Sequence, residues 1–284
     1  MRIGILYNII RKEEKLLIEA ARKNSVDFEL INVDREIFTP ERNFERFDLI
    51  LNRCLSKVKA RYALNFFEFL GITTVNPFSI TQICDDKFLT SLVLEKNKIP
   101  TLKFALVFNK EEALKAIEEK FGGFPVVLKP PQGSWGRLLV KINDVDCLEA
   151  IFEHKENLGG PEHKVFYLQE YIEKPGRDIR AVVIDGETIC AIYRISQHWI
   201  TNTYRGGKVS NCPITDELRK ICFDCSKALG GGILAVDIIE TKEGLKVNEI
   251  NAVPEFRNTE PATGVSVSSA IIDYCIKKIQ KNGR

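Results

Sequence analysis

Histidine is scarce in this chain, which has three among 284 residues, and long apolar runs are missing altogether. His154, His163 and His198 lack the spacing of a metal or catalytic cluster, so we interpret each as a surface or packed side chain. No stretch reaches the apolar length of a membrane span, and the first residues lack the length and cleavage site of a signal peptide. These absences favour a cytoplasmic protein without a membrane partner.

An excess of charge of either sign is also missing. The sequence carries 41 Lys and Arg against 39 Asp and Glu, a formal net charge of +2. Because it has no basic stripe and no aromatics interleaved with cations, we predict no nucleic-acid partner. Hydrophobic residues make up 44% and charged residues 28%, which is typical of a globular protein, and the length allows two or three domains.

Repeated cysteine spacing is a third absence. The eight cysteines are scattered, and the close pair Cys222 and Cys225 has no second pair or nearby histidine to complete four zinc ligands. This pair lies in a stretch, 215–229, with the apolar spacing of a helix. We therefore predict that both thiols pack in a core, and a metal or redox role is the weaker alternative.

The N-terminal part of the chain alternates short apolar strands with amphipathic helices. Strands are predicted at 1–7, 27–33, 47–51 and 73–75, and helices at 12–23, 62–70 and 79–96. Such alternation is typical of an open, mostly parallel α/β sheet. A Gly-x-Gly-x-x-Gly motif does not follow the first strand, so the dinucleotide-binding fingerprint is absent.

From residue 101 onward the pattern changes to that of an α+β region. Short turns such as Asp185-Gly186 predict antiparallel hairpins. The fold class is therefore predicted as α/β combined with α+β. Strands are predicted at 104–108, 125–129, 138–142, 166–171, 179–184, 188–195 and 233–239, and helices at 111–120 and 265–280.

Three oxygen-bearing side chains lie on a predicted strand pair late in the chain. Asp237 interrupts an apolar run, and after a Gly-containing turn the segment 245–250 alternates apolar and polar residues. Period two places Glu249 and Asn251 on one face, where Asp237 joins them across the ladder. Two carboxylates and an amide, without Cys or His nearby, suit Mg²⁺, which shares phosphate oxygens with nucleotides.

A phosphate-binding loop is predicted after the valine-rich strand that ends at Lys129. Gly133 and Gly136 let backbone N–H groups approach phosphate oxygens, and Lys129 supplies a point charge. Lys87, at the start of a helix, is a second candidate. This is not a Walker A motif, and a plain hairpin turn explains two glycines equally well. The backbone edge of 168–172 is a candidate for pairing with adenine.

In chain order, these motifs resemble the ATP-grasp superfamily, and within it the ribosomal-S6-modification-like ligases. The resemblance is carried by residues 124–130, 133–137, 169–172, 177–180, 202–203 and 248–251. Two further segments, 11–15 and 253–259, are similar to the α-aminoadipate/glutamate–carrier protein (LysW) ligase family of lysine and arginine biosynthesis. That family uses ATP to join the amine of α-aminoadipate or glutamate to the C-terminal glutamate γ-carboxyl of a small acidic carrier protein, through an acyl phosphate.

The resemblance implies an ATP-grasp fold in three parts. An N-terminal open parallel α/β domain is expected over 1–86, and a central subdomain with the Gly-rich lid loop over 87–172. A C-terminal subdomain with the metal and substrate sites is expected over 173–284. The two α+β subdomains would clamp ATP between them. We also expect a homo-oligomer, either a dimer or a tetramer.

The resemblance also implies roles for individual residues. Mg²⁺ would be held by Asp237, Glu249 and Asn251, and Arg194 and Arg205 would be catalytic. ATP would be bound by Lys87, Lys129, Gly133, Ser134, Trp135, Gly136, Arg137, Gln169, Glu170, Tyr171, Ile172, Asp178 and Asn202. The amino-acid substrate would be bound by Arg194, Thr203, Tyr204, Arg205, Gly206, Glu255, Phe256, Arg257, Asn258 and Thr259.

The pair Asn258-Thr259 resembles the α-aminoadipate type of the family, which leaves glutamate open as an additional substrate; a Gly-Phe pair marks glutamate-only enzymes. Tyr204 stands where relatives often have a small residue, so the length of the acceptor side chain stays open. Two alternatives also remain. One is a related glutamate ligase that acts on a cofactor or a protein tail, and the other is a non-catalytic ATP-binding sensor.

Overall fold

The computed structural model describes residues 1–133, 136–201 and 206–282, and its N-terminal part is a four-stranded parallel sheet of order β2-β1-β3-β4. The central strands are almost wholly apolar because both faces of a parallel sheet are covered, and Ile3, Ile5 and Leu49 are completely buried. The strands are β1 (Arg2–Tyr7), β2 (Asp27–Asn32), β3 (Leu49–Asn52) and β4 (Thr73–Val75), and the helices between them are α1 (Lys12–Lys23) and α2 (Lys57–Phe69).

The helix predicted over 79–96 is wrong as a single element. The structure has two helices, α3 (Phe78–Cys84) and α4 (Lys87–Lys96), separated by two aspartates. The side chain of Asp86 accepts hydrogen bonds from the backbone N–H groups of Phe88 and Leu89, which caps α4 and starts a new helix axis. The cap places Lys87 in the first turn of α4.

The second sheet is four-stranded and antiparallel, with the order β5-β8-β6-β7. One helix on it, α6 (Val145–Leu158), was not predicted; its Phe152 ring stacks on Phe166 with centroids 3.9 Å apart. The strands are β5 (Phe104–Val107), β6 (Val126–Lys129), β7 (Val140–Ile142) and β8 (Phe166–Glu170), and α5 (Lys110–Ala116) runs into a π-helical turn, Ile117–Phe121.

The third sheet is five-stranded and antiparallel, with the order β11-β10-β9-β12-β13. The predicted Asp185-Gly186 turn joins β9 to β10, and both residues have positive φ, 50° and 91°, as a tight hairpin turn requires. The strands are β9 (Arg177–Ile184), β10 (Glu187–Ile195), β11 (Lys208–Asn211), β12 (Ile233–Thr241) and β13 (Gly244–Asn251). The helices of this part are α7 (Asp216–Leu229), α8 (Thr259–Thr263) and α9 (Val267–Asn282).

Cys222 and Cys225 lie on the buried face of α7, as the packing interpretation predicts. Both are completely buried in the core that α7 forms with the third sheet. Burial raises the pKa of the Cys222 thiol to about 12 and that of Cys225 well above its usual value. Two thiols that stay protonated in an apolar core are poor metal ligands.

The first and third sheets share one core, which holds them as a unit. Apolar side chains of β1 and β3 pack with those of β9 and α9 in a continuous cluster. Asn76 ties the two sheets together at their edges: its side chain donates to the carbonyls of Ile233 and Ala252, at 2.6 and 2.7 Å, and accepts from the Ile233 N–H. The ends of β12 and β13 are therefore held against the N-terminal sheet.

The helices are modest in length, and α9 spans 16 residues. Within the described ranges of the chain, none is both long and apolar enough to cross a lipid bilayer.

Candidate active site

A cavity of about 410 Å³ lies where the three sheets meet. Strands β6 and β8 form one wall, strands β9, β10, β12 and β13 form the opposite wall, and the end of β3 closes one side. Most of the predicted site residues line it. They are Lys87, Lys129, Gly133, Gly136, Gln169, Glu170, Tyr171, Ile172, Asp178, Arg194, Asp237, Glu249, Asn251, Glu255 and Arg257.

Five other predicted residues do not line this cavity: Arg137, Gly206, Phe256, Asn258 and Thr259. Phe256 and Thr259 are buried beside it, with 0% and 1% exposure, so their side chains act in packing. A role for these five in binding stays a prediction. The remaining predicted residues lie outside the described ranges, namely Ser134, Trp135, Asn202, Thr203, Tyr204 and Arg205.

The strand pair brings together the predicted metal ligands, as its period of two requires. Asp237 on β12 lies directly opposite Glu249 on β13, and Asn251 is paired with Ala235 two positions along. A β-bulge follows Asp237 and turns the strand at this point. All three side chains therefore share one face of the sheet at the cavity wall.

This set of donors fits a magnesium ion. Glu249 has no ion pair or hydrogen bond to any other described side chain, so its carboxylate is available. The buried Asn251 amide nitrogen has no partner in the described chain, and turning the amide over would offer its oxygen instead. The described residues contain no cluster of three or more His, Cys, Asp or Glu ligands, so such a site would rest on these two carboxylates and one amide.

Asp237 is held between two arginines. Arg180 binds it through two N–H groups at 2.7 and 2.8 Å, and Arg194 approaches it at 3.1 Å. Burial disfavours its ionisation, but both guanidinium groups outweigh that effect and hold the pKa of Asp237 below its usual range. Arg194 also forms a two-pronged pair with Asp178, at 2.7 and 2.8 Å. The result is a buried, ionised network at the cavity wall.

Two buried lysines face this network from the second sheet and α4. Burial lowers the pKa of Lys129 to about 7, and Glu249 only partly opposes the shift. Its ammonium donates to the side-chain oxygens of Gln169 and Asn248, the latter at 2.9 Å. Burial likewise lowers the pKa of Lys87, which donates to the Gly133 carbonyl at 3.0 Å. A polyanion entering the cavity would raise the pKa of both groups again.

The edge predicted to hold adenine begins where β8 stops. The ladder ends at Glu170, whose carboxylate accepts from the Lys103 N–H at 2.8 Å. Tyr171 and Ile172 continue along the cavity without a strand partner. Their backbone groups therefore offer a donor and an acceptor to a planar base, which is consistent with the prediction.

Several cavity residues were missed by sequence reasoning. Arg180 lies two residues after Asp178 on β9, so strand periodicity carried a signal for it. Asn248 was inside a recognised motif but was given no role. Arg11 contacts Glu255 across 244 positions of sequence, and no local pattern could have revealed that contact. Lys174 and Thr201 complete the Asp178 side of the network.

Comparison with known proteins agrees with this geometry. Residues 84–275 match the RimK-like ATP-grasp domain, and residues 3–83 match the LysX preATP-grasp domain. The glutamate–LysW ligase ArgX of Sulfurisphaera tokodaii is 34% identical over 285 residues, which cover 99% of this chain and 100% of the relative. The α-aminoadipate–LysW ligase LysX of Saccharolobus solfataricus is 33% identical over 276 residues, covering 96% and 98%.

A solved structure shows the same architecture. The RimK domain protein ATP-grasp from Sphaerobacter thermophilus superposes with a TM-score of 0.81 at 25% identity, covering 96% of this chain and 99% of that one. The chain therefore belongs to the RimK-like ATP-grasp family of ligases. The ATP-grasp fold and the use of ATP, both implied by the sequence motifs, are confirmed. The exact domain boundaries at 86/87 and 172/173 stay predictions.

Proposed function

We propose that this chain joins the amine of α-aminoadipate to the C-terminal glutamate γ-carboxyl of a small acidic carrier protein, with formation of ADP. The observation that carries the proposal is one cavity lined by the two buried lysines Lys87 and Lys129, by the Asp237–Glu249–Asn251 set and by the charged side chains of Glu255 and Arg257. The two LysW ligases that resemble the chain over nearly its full length support the substrate class. The reaction would serve lysine biosynthesis, and a second role in arginine biosynthesis stays open.

The lysines and the glycine loop are suited to hold the triphosphate. Lys87 and Lys129 approach from α4 and β6, and the backbone of Gly133 lies beside Lys87. Asp237, Glu249 and Asn251 would hold Mg²⁺, which neutralises charge on the β- and γ-phosphates when bound. Lys87, Lys129 and Asp237 are buried, so they would help to keep water away from the γ-phosphate.

Cations rather than a general base should dominate the chemistry. Both acyl-phosphate formation and attack by the amine concentrate negative charge on phosphate and carboxylate oxygens. Arg194 is buried and ionised, since Asp237 and Asp178 raise its pKa despite burial. Arg180 lies beside it with its guanidinium at the cavity wall. These two forks can stabilise an acyl phosphate without proton transfer.

The choice of α-aminoadipate over glutamate rests on Asn258-Thr259. The two LysW ligases, named for different amino acids, match this chain equally well, so overall similarity does not separate the substrates. Asn258 is exposed and occupies the N-cap position of the short helix α8 without a side-chain capping hydrogen bond, and Thr259 is buried in the first turn. The pair would act by shaping the segment that carries Glu255 and Arg257 into the cavity.

An omission experiment tests this proposal. Release of ADP would be measured with ATP, Mg²⁺, α-aminoadipate and an acidic carrier ending in glutamate, and then with each component left out. We expect release only with all components, and faster release with α-aminoadipate than with glutamate. ATP binding without ADP release under any of these conditions would favour the non-catalytic sensor, and equal ADP release without amino acid and carrier would indicate an ATPase. Activity only with glutamate and a cofactor would favour the related cofactor ligases.

A further inference from the structure

Arg11 lies at the N-cap of α1, far in sequence from every other site residue, and reaches the cavity. One edge of its guanidinium is fixed by Glu14, with Nε and one terminal nitrogen at 3.0 and 2.7 Å from the two carboxylate oxygens. The other terminal nitrogen donates to Glu255 at 3.2 Å. A guanidinium has five N–H donors, so these three bonds leave two for a ligand.

The groups behind Arg11 hold it rigidly. Glu14 is 1% exposed and is also bound by Arg53, which is itself 1% exposed and donates to the Pro254 carbonyl at 2.9 Å. Glu13, equally buried, accepts from the backbone N–H of Arg257 at 3.2 Å. Helix α1 and the segment 254–257 are thus locked together, and the position of Arg11 relative to Glu255 is fixed before any ligand arrives.

We propose that Arg11 and Glu255 form the subsite for the α-amino acid, in which Arg11 binds the α-carboxylate and Glu255 binds the ammonium. This inference rests on the proposed function. In an α-amino acid the carboxylate and the ammonium are bonded to the same carbon. The Arg11 guanidinium and the Glu255 carboxylate, 3.2 Å apart, present the opposite charges at a similarly short distance from each other. Arg257, exposed at the same end of the cavity, is then left for the side-chain carboxylate.

The charged groups that line this end of the cavity agree in number and sign with this assignment. An acidic α-amino acid carries two carboxylates and one ammonium, and the subsite offers Arg11, Arg257 and Glu255 in the complementary ratio. A substrate without an α-carboxylate would leave the two remaining N–H donors of Arg11 without a partner. The subsite therefore selects for α-amino acids as a class, and the segment 258–259 would select among their lengths.

The proposal is tested by measuring two enzymes, the unmodified chain and Arg11→Met, with two substrates, α-aminoadipate and an analogue. The analogue is δ-aminovalerate, which is α-aminoadipate without its α-carboxylate. We expect Arg11→Met to lower kcat/KM for α-aminoadipate about 10- to 100-fold, mainly through KM, and to leave kcat/KM for the analogue nearly unchanged. Arg11→Lys should recover only part of the loss, because an ammonium cannot offer two parallel bonds.

Arg22→Met is the matched control, since Arg22 is an exposed arginine on the same helix, and it should behave like the unmodified chain for both substrates. Equal losses for α-aminoadipate and δ-aminovalerate would overturn the proposal, as would a rise in KM for the carrier instead of the amino acid. If the unmodified chain released no ADP in response to any amino acid, the proposed function itself would fail, and this inference with it.

Discussion

At the scale of single residues, Lys129 shows how burial prepares a group for its ligand. Its pKa of about 7 leaves the ammonium largely neutral above that pH, because no carboxylate lies close enough to outweigh desolvation. Asn248 and Gln169 hold it in place through neutral oxygens. A bound triphosphate supplies the missing negative charge and raises the pKa again.

Nucleotide binding should therefore take up a proton. At about pH 8 we expect an uptake approaching one proton per nucleotide, and at about pH 6, where Lys129 is already charged, much less. Calorimetry of the binding of a non-hydrolysable ATP analogue in buffers of different ionisation enthalpy measures the uptake. Lys129→Met should remove the difference between the two pH values, and an equal uptake at both in the unmodified chain would contradict the expectation.

The two carboxylates of the cavity should respond differently to substitution. The Glu249 carboxylate has no hydrogen bond or ion pair to another side chain within the described residues, so Glu249→Gln should lower ADP formation at least about 100-fold while the melting temperature stays unchanged. Kinetics and thermal unfolding on the same preparation check both halves. Near-normal turnover in this variant would remove Glu249 from the metal assignment.

Asp237→Ala should instead lower the free energy of unfolding of the protein. It removes the carboxylate partner of the half-buried Arg180 and leaves the buried Arg194 with Asp178 alone, which costs about 3 to 5 kcal/mol. Urea unfolding followed by circular dichroism measures the loss. If the stability of this variant equalled that of Glu249→Gln, the buried ion network would not be the structural element that its geometry indicates.

At the scale of elements, the start of α4 links helix capping to nucleotide binding. Asp86 caps α4, and Lys87 occupies the next position. We expect Asp86→Ala to cost about 1 kcal/mol and to raise KM for ATP, because the first turn that positions Lys87 would fray. Thr215→Ala removes the cap of α7, which contributes no residue to the cavity lining, and should cost a similar free energy without changing KM for ATP. Equal KM values in the two variants would count against the link.

The segment that begins α8 carries the prediction on specificity. Replacing Asn258-Thr259 by Gly-Phe should shift the ratio of kcat/KM for α-aminoadipate over glutamate about 10-fold toward glutamate. Because Thr259 is 1% exposed, a phenylalanine there must displace neighbouring side chains, and the segment 254–257 is the nearest to respond. Competition between the two amino acids in one reaction measures the ratio. An unchanged ratio would show that Asn258-Thr259 does not determine the choice between α-aminoadipate and glutamate.

At the scale of the whole molecule, the sequence predicted what depends on local periodicity. Period two placed Asp237, Glu249 and Asn251 on one face, and the register of β12 and β13 agrees. The start of a helix at Lys87 was predicted correctly, but the single helix over 79–96 was wrong, because apolar spacing continues across the break that the Asp86 cap makes. The contacts of Arg11 with Glu255 and of Arg53 with the Pro254 carbonyl were not predicted, because these partners are more than 200 residues away in the sequence. What the sequence could not show is which distant polar groups the fold brings into contact.

The central claim is that the cavity joins an amino acid to a carrier protein. Intact-mass measurement of a carrier ending in glutamate, after incubation with the chain, ATP, Mg²⁺ and α-aminoadipate, tests it most directly. We predict that the carrier gains the mass of α-aminoadipate less one water, and that Glu249→Gln leaves its mass unchanged. ADP accumulation with an unmodified carrier would contradict the claim.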